Sequence, residues 1–311
     1  MLAFLSFIAL LCYSVAMIGY FIGAYFGRSR FRTSPGTSSL GDFHPECQRG
    51  VSLGIPRHFV PRNEKKDYAA WWFVLLGAVF HLAGLVVSFL FPSVAGIFSI
   101  HRQALMVVAL FIVILFLVMS RIRPIGFMGT IIMPLVVLIM IGSSLLPFKE
   151  NLARPFLKNW IIIFHVAALF VAYAFFALSF SLSLFYLFQE RKIKRKEFKV
   201  GMESSLPALE TIDRLNHRCI LVGFPFMTAG LIAGFGAAQI FWKSPWTGDP
   251  KEILSVMTWC VYAVLFHQRL ALGWRGKKAS WVAICGFIGV LVTFLGVNLY
   301  GKTHHVTFFL R

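Results

Sequence analysis

Hydrophobic positions along the chain fall into eight long runs, at about 2–26, 71–92, 103–120, 125–147, 160–188, 219–241, 253–270 and 281–300. A helix rises about 1.5 Å per residue, so about 20 mostly apolar residues cross about 30 Å of hydrocarbon. Each run therefore reads as one spanning helix. The pattern predicts an all-α fold, a polytopic membrane protein with about eight transmembrane helices. The first run has no basic segment ahead of it and no small-residue cleavage site before Arg28, which favours a span over a secretion signal.

The polar stretches divide the chain. Residues 1–26 form the first span and 27–70 a long basic loop rich in Pro, Gly and Ser, expected to be cytoplasmic and partly without regular structure. Residues 71–147 carry spans two to four, and 148–311 form a C-terminal unit with spans five to eight. Ahead of the sixth span, Leu206, Leu209, Ile212 and Leu215 recur at helical spacing in "LPALETIDRLNHR". That pattern predicts a short amphipathic helix lying on the inner membrane surface.

Composition agrees with the hydropathy pattern. Of 311 residues, 58% are hydrophobic and 14% charged, and the mean hydropathy is +0.77. The formal charge of +18 would suggest nucleic acid in a soluble chain. Here its distribution sets topology instead, because 22 of the 30 lysines and arginines lie in the connections after spans one, three, five and seven. By the positive-inside rule those connections are cytoplasmic. Both termini and the connection "FWKSPWTGDPKEI" are then expected on the outer (periplasmic) side of a cell inner (plasma) membrane. The run "RKIKRK" reads first as part of that topology signal, with contact to anionic lipid or nucleic acid as the runner-up; membrane lipid is an expected partner of the chain and nucleic acid is not. The five cysteines form no CxxC pair, and His44 with Cys47 supplies too few ligands for a zinc site. Nucleotide-binding and hydrolase signatures are absent from the sequence.

Ionisable side chains inside spans are costly and are functional candidates for that reason. His81 falls mid-span in the second run and His165 near the outer end of the fifth. His267 falls near the inner end of the seventh, and His304 and His305 follow the eighth. Each taken singly reads most simply as a hydrogen-bonded or capping histidine. Taken together, an outer pair and a deeper pair suit axial ligation of haem iron by neutral imidazole. The loop carrying Trp242 and Trp246 supplies aromatic walls for a flat macrocycle; the plainer alternative for both is an interfacial aromatic belt. Lys243, Lys251 and Arg154 are candidate propionate partners.

The segment "FWKSPWTGDPKEILSVMTWCVYAVLFHQRLALGWRGKKA" resembles the tryptophan-rich outer loop and following span of the cytochrome c assembly superfamily, whose pattern is close to WGxYWxWDPKET and then YxxxLHxR. "GVNLYGKTHH", "GFPFMTAGLIAG", "LPALETIDRLNHR" and "NWIIIFHVAALFVAYAFF" extend the likeness over about half the chain. Length and eight spans point to its CcsA-type branch of System II cytochrome c biogenesis. The resemblance implies that His165 and His305 are outer haem-iron ligands and that His267 belongs to a deeper site. It also implies that Trp242, Trp246 and Asp249 belong to the haem-facing loop. His81 matches no family motif; it is either a second deep ligand, approaching His267 near the cytoplasmic side, or a bystander whose place a partner fills. The chain departs from the pattern at Gly248, where the family has a second tryptophan, and lacks the expected motif after the second span.

What the resemblance implies about function is binding of haem b as a transported substrate. Haem would be presented on the outer face for attachment to apocytochrome c with its CxxCH motif, with a CcsB/ResB-type membrane partner. Such a chain would be part of a haem-attachment complex without a catalytic nucleophile of its own. A non-catalytic HemX-like regulator or assembly factor is the alternative. A small-molecule transporter is a third reading, supported by the intramembrane histidines alone.

Overall fold

A computed structural model of the chain describes residues 2–26, 64–90, 100–122, 126–145, 159–195 and 207–293. Among the described residues the regular structure is helical: α1 (Leu2–Phe26), α2 (Glu64–Leu90), α3 (Ile100–Ile122), α4 (Gly126–Leu145), α5 (Trp160–Lys194), α6 (Leu209–Trp242), α7 (Pro250–Ala271) and α8 (Lys277–Leu291). Seven of them, α1 to α7, are long and apolar enough to cross a membrane, and α8 is described over 15 residues. The chain is a multi-pass membrane protein of the class its hydropathy predicts. Helices suit that setting because each satisfies its own backbone polar groups, for which hydrocarbon offers no partner.

Small residues decide how closely these helices pack. On α1 the buried stripe Ala9, Tyr13, Ala16 and Tyr20 recurs every three or four residues, while Phe4, Phe7, Leu11 and Ile18 are exposed. The Tyr13 ring lies over Gly77 of α2 and the Tyr20 ring over Gly129 of α4, and a β-carbon at either glycine would come within 2.6 Å of the ring. Helices α1 to α4 pack together in this way, and α5 to α8 form a second group. Helix α5 joins them by also packing on α3 and α4.

The frame of the second group is an antiparallel pair of very long helices. At 35 and 34 residues, α5 and α6 each run to about 50 Å, well beyond the hydrocarbon thickness. Their contacts step in opposite directions along the two chains. His165 meets Gly230, Ser179 meets Asn216, and Gln189 meets Pro207. Asn159 starts α5 by accepting from the backbone N–H of Ile161 at 2.9 Å. Arg191, Lys192 and Lys194 sit in the last turn, where cations oppose the negative end of the helix dipole.

Two sequence expectations are corrected here. The amphipathic stretch before span six is no separate surface helix, because from Leu209 onward it is the first three turns of α6. Its apolar face has a protein surface to cover: α5 continues past the apolar run to Lys194, and Ile212 and Leu215 are buried in the core instead of facing lipid. Likewise α2 begins at Glu64, inside the stretch assigned to the 27–70 loop.

Candidate functional site

The connection between α6 and α7 marks one end of the bundle. Helix α6 stops at Lys243, whose left-handed backbone (φ 57°) ends the helix. Helix α7 starts at Asp249, whose carboxylate accepts from the backbone N–H of Lys251 at 2.8 Å, with Pro250 in the first turn. Glu252 then reaches back. Its Oε2 accepts from the N–H groups of Thr247 (2.8 Å) and Gly248 (3.1 Å), and its Oε1 accepts from the Thr247 hydroxyl at 2.9 Å. The Ser244 hydroxyl donates to the carbonyl of Trp246 at 2.7 Å. "TGDPKE" is thus a helix start that fastens the loop preceding it.

This wiring presents Trp246. Its side chain is 46% exposed and its ring centroid lies 6.2 Å from that of Phe235 on α6. Trp242 is the last residue of α6 and is half-buried, whereas Asp249 is buried as the cap of α7. We expect Glu252→Ala to release the strap while leaving α7 intact. Losing bonds to a carboxylate costs about 1–3 kcal/mol locally, so hydrogen exchange at the amides of Thr247 and Gly248 should accelerate by roughly tenfold or more. Unchanged protection would show that the loop holds itself without Glu252.

His165 stands at the same end, in the second turn of α5. Its Nδ1 lies 2.6 Å from the carbonyl oxygen of Gly230. A carbonyl only accepts, so Nδ1 carries the proton and Nε2 keeps its lone pair. That tautomer, oriented by a backbone carbonyl, is the one a metal-ligating histidine uses. Four residues along α6, Gly234 also lies against the ring, and the next residue, Phe235, carries Trp246. His165 and Trp246 are therefore placed by neighbouring positions of one helix. His304 and His305 lie outside the described residues, as do His44, Cys47 and Arg154.

The deeper histidines are placed separately. His81 is 2% exposed between α1 and α2, with Nδ1 3.3 Å from the Tyr13 hydroxyl and Nε2 buried without a hydrogen-bond partner among the described residues. His267 is exposed on α7, which packs on α6 and α8. No described contact brings these two histidines together. Among the described residues no group of three or more His, Cys, Asp or Glu side chains gathers as a metal cage would require.

The opposite, basic end of the bundle holds a polar cluster that sequence reasoning missed. Asp213 Oδ1 accepts from Arg269 Nη2 at 3.1 Å and from the backbone N–H of Gly276 at 3.0 Å, joining α6, α7 and the turn into α8. One turn on, Asn216 accepts from Ser179 and donates to Ser183 at 2.9 Å, tying α6 to α5. The available signal was Asp213 and Asn216 three apart on the same helical face as buried Ile212 and Leu215.

Comparison with known proteins gives this arrangement a family. A profile of the cytochrome c assembly protein family matches residues 98–305. The chain belongs to the cytochrome c assembly protein family. A cytochrome c biogenesis protein CcsA from Guillardia theta is 33% identical over 196 residues, covering 57% of this chain and 65% of the relative. One from Mesostigma viride is 31% identical over 213 residues, 61% of this chain and 70% of the relative. A third, from Microcystis aeruginosa, is 45% identical over 100 residues, covering 32% of this chain and 30% of the relative. The first two matches thus span about two thirds of the relatives' length. The family match includes His165, Trp242, Trp246, Asp249, His267 and His305 and begins after His81. The family match thus begins just before α3, and the α1–α2 pair with its buried histidine lies outside the matched residues.

Proposed function

We propose that the chain is a cytochrome c biogenesis component that binds haem b and presents it on the outer membrane face for attachment to apocytochrome c. The observation that supports this reading is the Nδ1 contact of His165 with the Gly230 carbonyl, which leaves the Nε2 lone pair available to a metal, on a residue packed against the helix that ends in the Trp246 loop. The names of the curated relatives, which are cytochrome c biogenesis proteins, point the same way. His165 and His305 would hold the iron, with Trp242 and Trp246 against the macrocycle. Exposed Lys243 would lie within reach of propionates. When bound to apocytochrome c, haem accepts each CxxCH thiol across a vinyl double bond, sulfur to one carbon and hydrogen to the other. The chain's residues supply orientation and exclude side reactions. Exposed His267 would face a second site completed from outside the described helices, and a CcsB/ResB-type membrane partner is the proposed source. The concentration of basic residues in alternate connections supports an outward-facing loop, and a cell inner membrane is the proposed location.

One observation favours the HemX-like alternative. Gly248, where the family pattern has its second tryptophan, adopts φ +74° with open space around it. A tryptophan there would be strained, so this loop is built around the glycine. The test is replacement. In a bacterium deleted for its own family member, this chain supplied with its partner should restore c-type cytochromes on a haem-stained gel, and His165→Ala should not. Failure of the well-expressed wild-type pair to restore them favours the non-catalytic relative.

A further inference from the structure

The imidazole of His165 has a seat as well as a hydrogen-bond partner. A β-carbon placed on Gly234 would lie 2.6 Å from Cε1 and 2.7 Å from Nδ1 of that ring. Contacts this short do not occur, so any larger residue must move the ring. The ring has little freedom to move, because turning it away breaks the 2.6 Å contact of Nδ1 with the Gly230 carbonyl. The two glycines, one helical turn apart, therefore act differently. Gly230 contributes its carbonyl, and Gly234 contributes the absence of a side chain. Gly230 also lies against Leu169, where a β-carbon would come within 2.8 Å of the side chain. Gly236, two residues further along α6, would meet nothing within 4 Å.

We infer that Gly234 is a positioning residue for His165: it leaves the imidazole the one pose in which Nδ1 is committed to the Gly230 carbonyl and Nε2 is the nitrogen offered to a ligand. The seat follows from the geometry alone, and its use in ligating haem rests on the function proposed above. The simpler reading is that glycine merely lets α5 and α6 approach, as small residues do throughout membrane bundles. The two differ in what obstructs an added methyl group. In one case it is the ring, and in the other the helix backbone.

A double-mutant cycle separates them. Purified full-length wild type, Gly234→Ala, His165→Ala and the double variant are compared by thermal unfolding in detergent, with Gly236→Ala as the control. Gly234→Ala should lower Tm in the wild-type background and have no effect once His165 is alanine, because the obstructing ring is gone. Gly236→Ala should leave Tm unchanged. Equal losses in both backgrounds, or a matching loss from Gly236→Ala, would overturn the seat. Should Gly234→Ala alone fail to fold, recovery of folding in the double variant supports the inference, and its absence overturns it. Titration with haemin supplies the second readout. Gly234→Ala should weaken binding on the order of 10–100-fold, as loss of a ligand-orienting neighbour does. If His165→Ala abolishes haemin binding and Gly234→Ala leaves it intact, the positioning role is refuted. If neither variant affects haemin binding while the Tm coupling holds, the seat stands and the haem-ligand role fails.

Discussion

Asp213→Ala is expected to destabilise the folded protein by about 3–5 kcal/mol, the range seen when one member of a buried ion pair is removed. Arg269 is 6% exposed, and its Nη2 finds Asp213 Oδ1 at 3.1 Å. Its Nε is already buried without a hydrogen-bond partner among the described residues. Alanine would leave a buried guanidinium uncompensated and would strip the acceptor from the backbone N–H of Gly276, where the chain turns into α8 with φ +66°. Asp213→Asn keeps an oxygen for Gly276 and loses only the charge, so its cost should be smaller. Replacing both partners by apolar residues of similar volume should recover much of the loss. Thermal unfolding of the four proteins in detergent checks this ordering. An Asp213→Ala variant as stable as wild type would mean that water reaches the pair and that the basic end is held by α5–α6 packing alone.

That cluster marks where the sequence stopped being legible. The spans themselves were readable because α1, α3, α4 and α5 contain apolar runs long enough to exclude any other reading. The start of α6 was not, because Glu210, Asp213, Arg214, Asn216, His217 and Arg218 interrupt hydropathy within ten residues. Periodicity found the apolar face there, but only the length of α5 shows that protein covers it. The "DPKE" motif was legible as a family mark, and its physical role as a cap and strap follows from helix-start rules. The partner of His165 was beyond reach, since the acceptor is a backbone carbonyl 65 residues away that no side-chain pattern encodes. His81 illustrates the converse. An intramembrane histidine invites a ligand role, yet its described neighbour is the Tyr13 hydroxyl across the α1–α2 interface.

The second large effect concerns His165. Removing the imidazole takes away the Nε2 lone pair that the proposed function assigns to iron, while the helix contacts of α5 and α6 remain. His165→Ala is therefore expected to abolish six-coordinate haem in the purified protein, studied with its partner where the partner is needed for stability. Added imidazole should partly restore it, because the cavity left by the ring accepts a molecule of the same shape and donor chemistry. Restoration also separates loss of a ligand from loss of fold, since an unfolded chain has no cavity to fill. His267→Ala, acting at the other end of α7, should leave this signal in place. His305→Ala should lower it in parallel with His165→Ala if the two share one iron.

The most direct test is the absorption spectrum of the full-length protein, purified with its membrane partner and titrated with haemin, beside the same spectrum for His165→Ala with and without imidazole. The account predicts a six-coordinate, bis-imidazole spectrum in the wild type that is lost in the variant and partly regained with imidazole. A well-folded wild-type complex that binds no haem, or one whose spectrum is the same in His165→Ala, would contradict it.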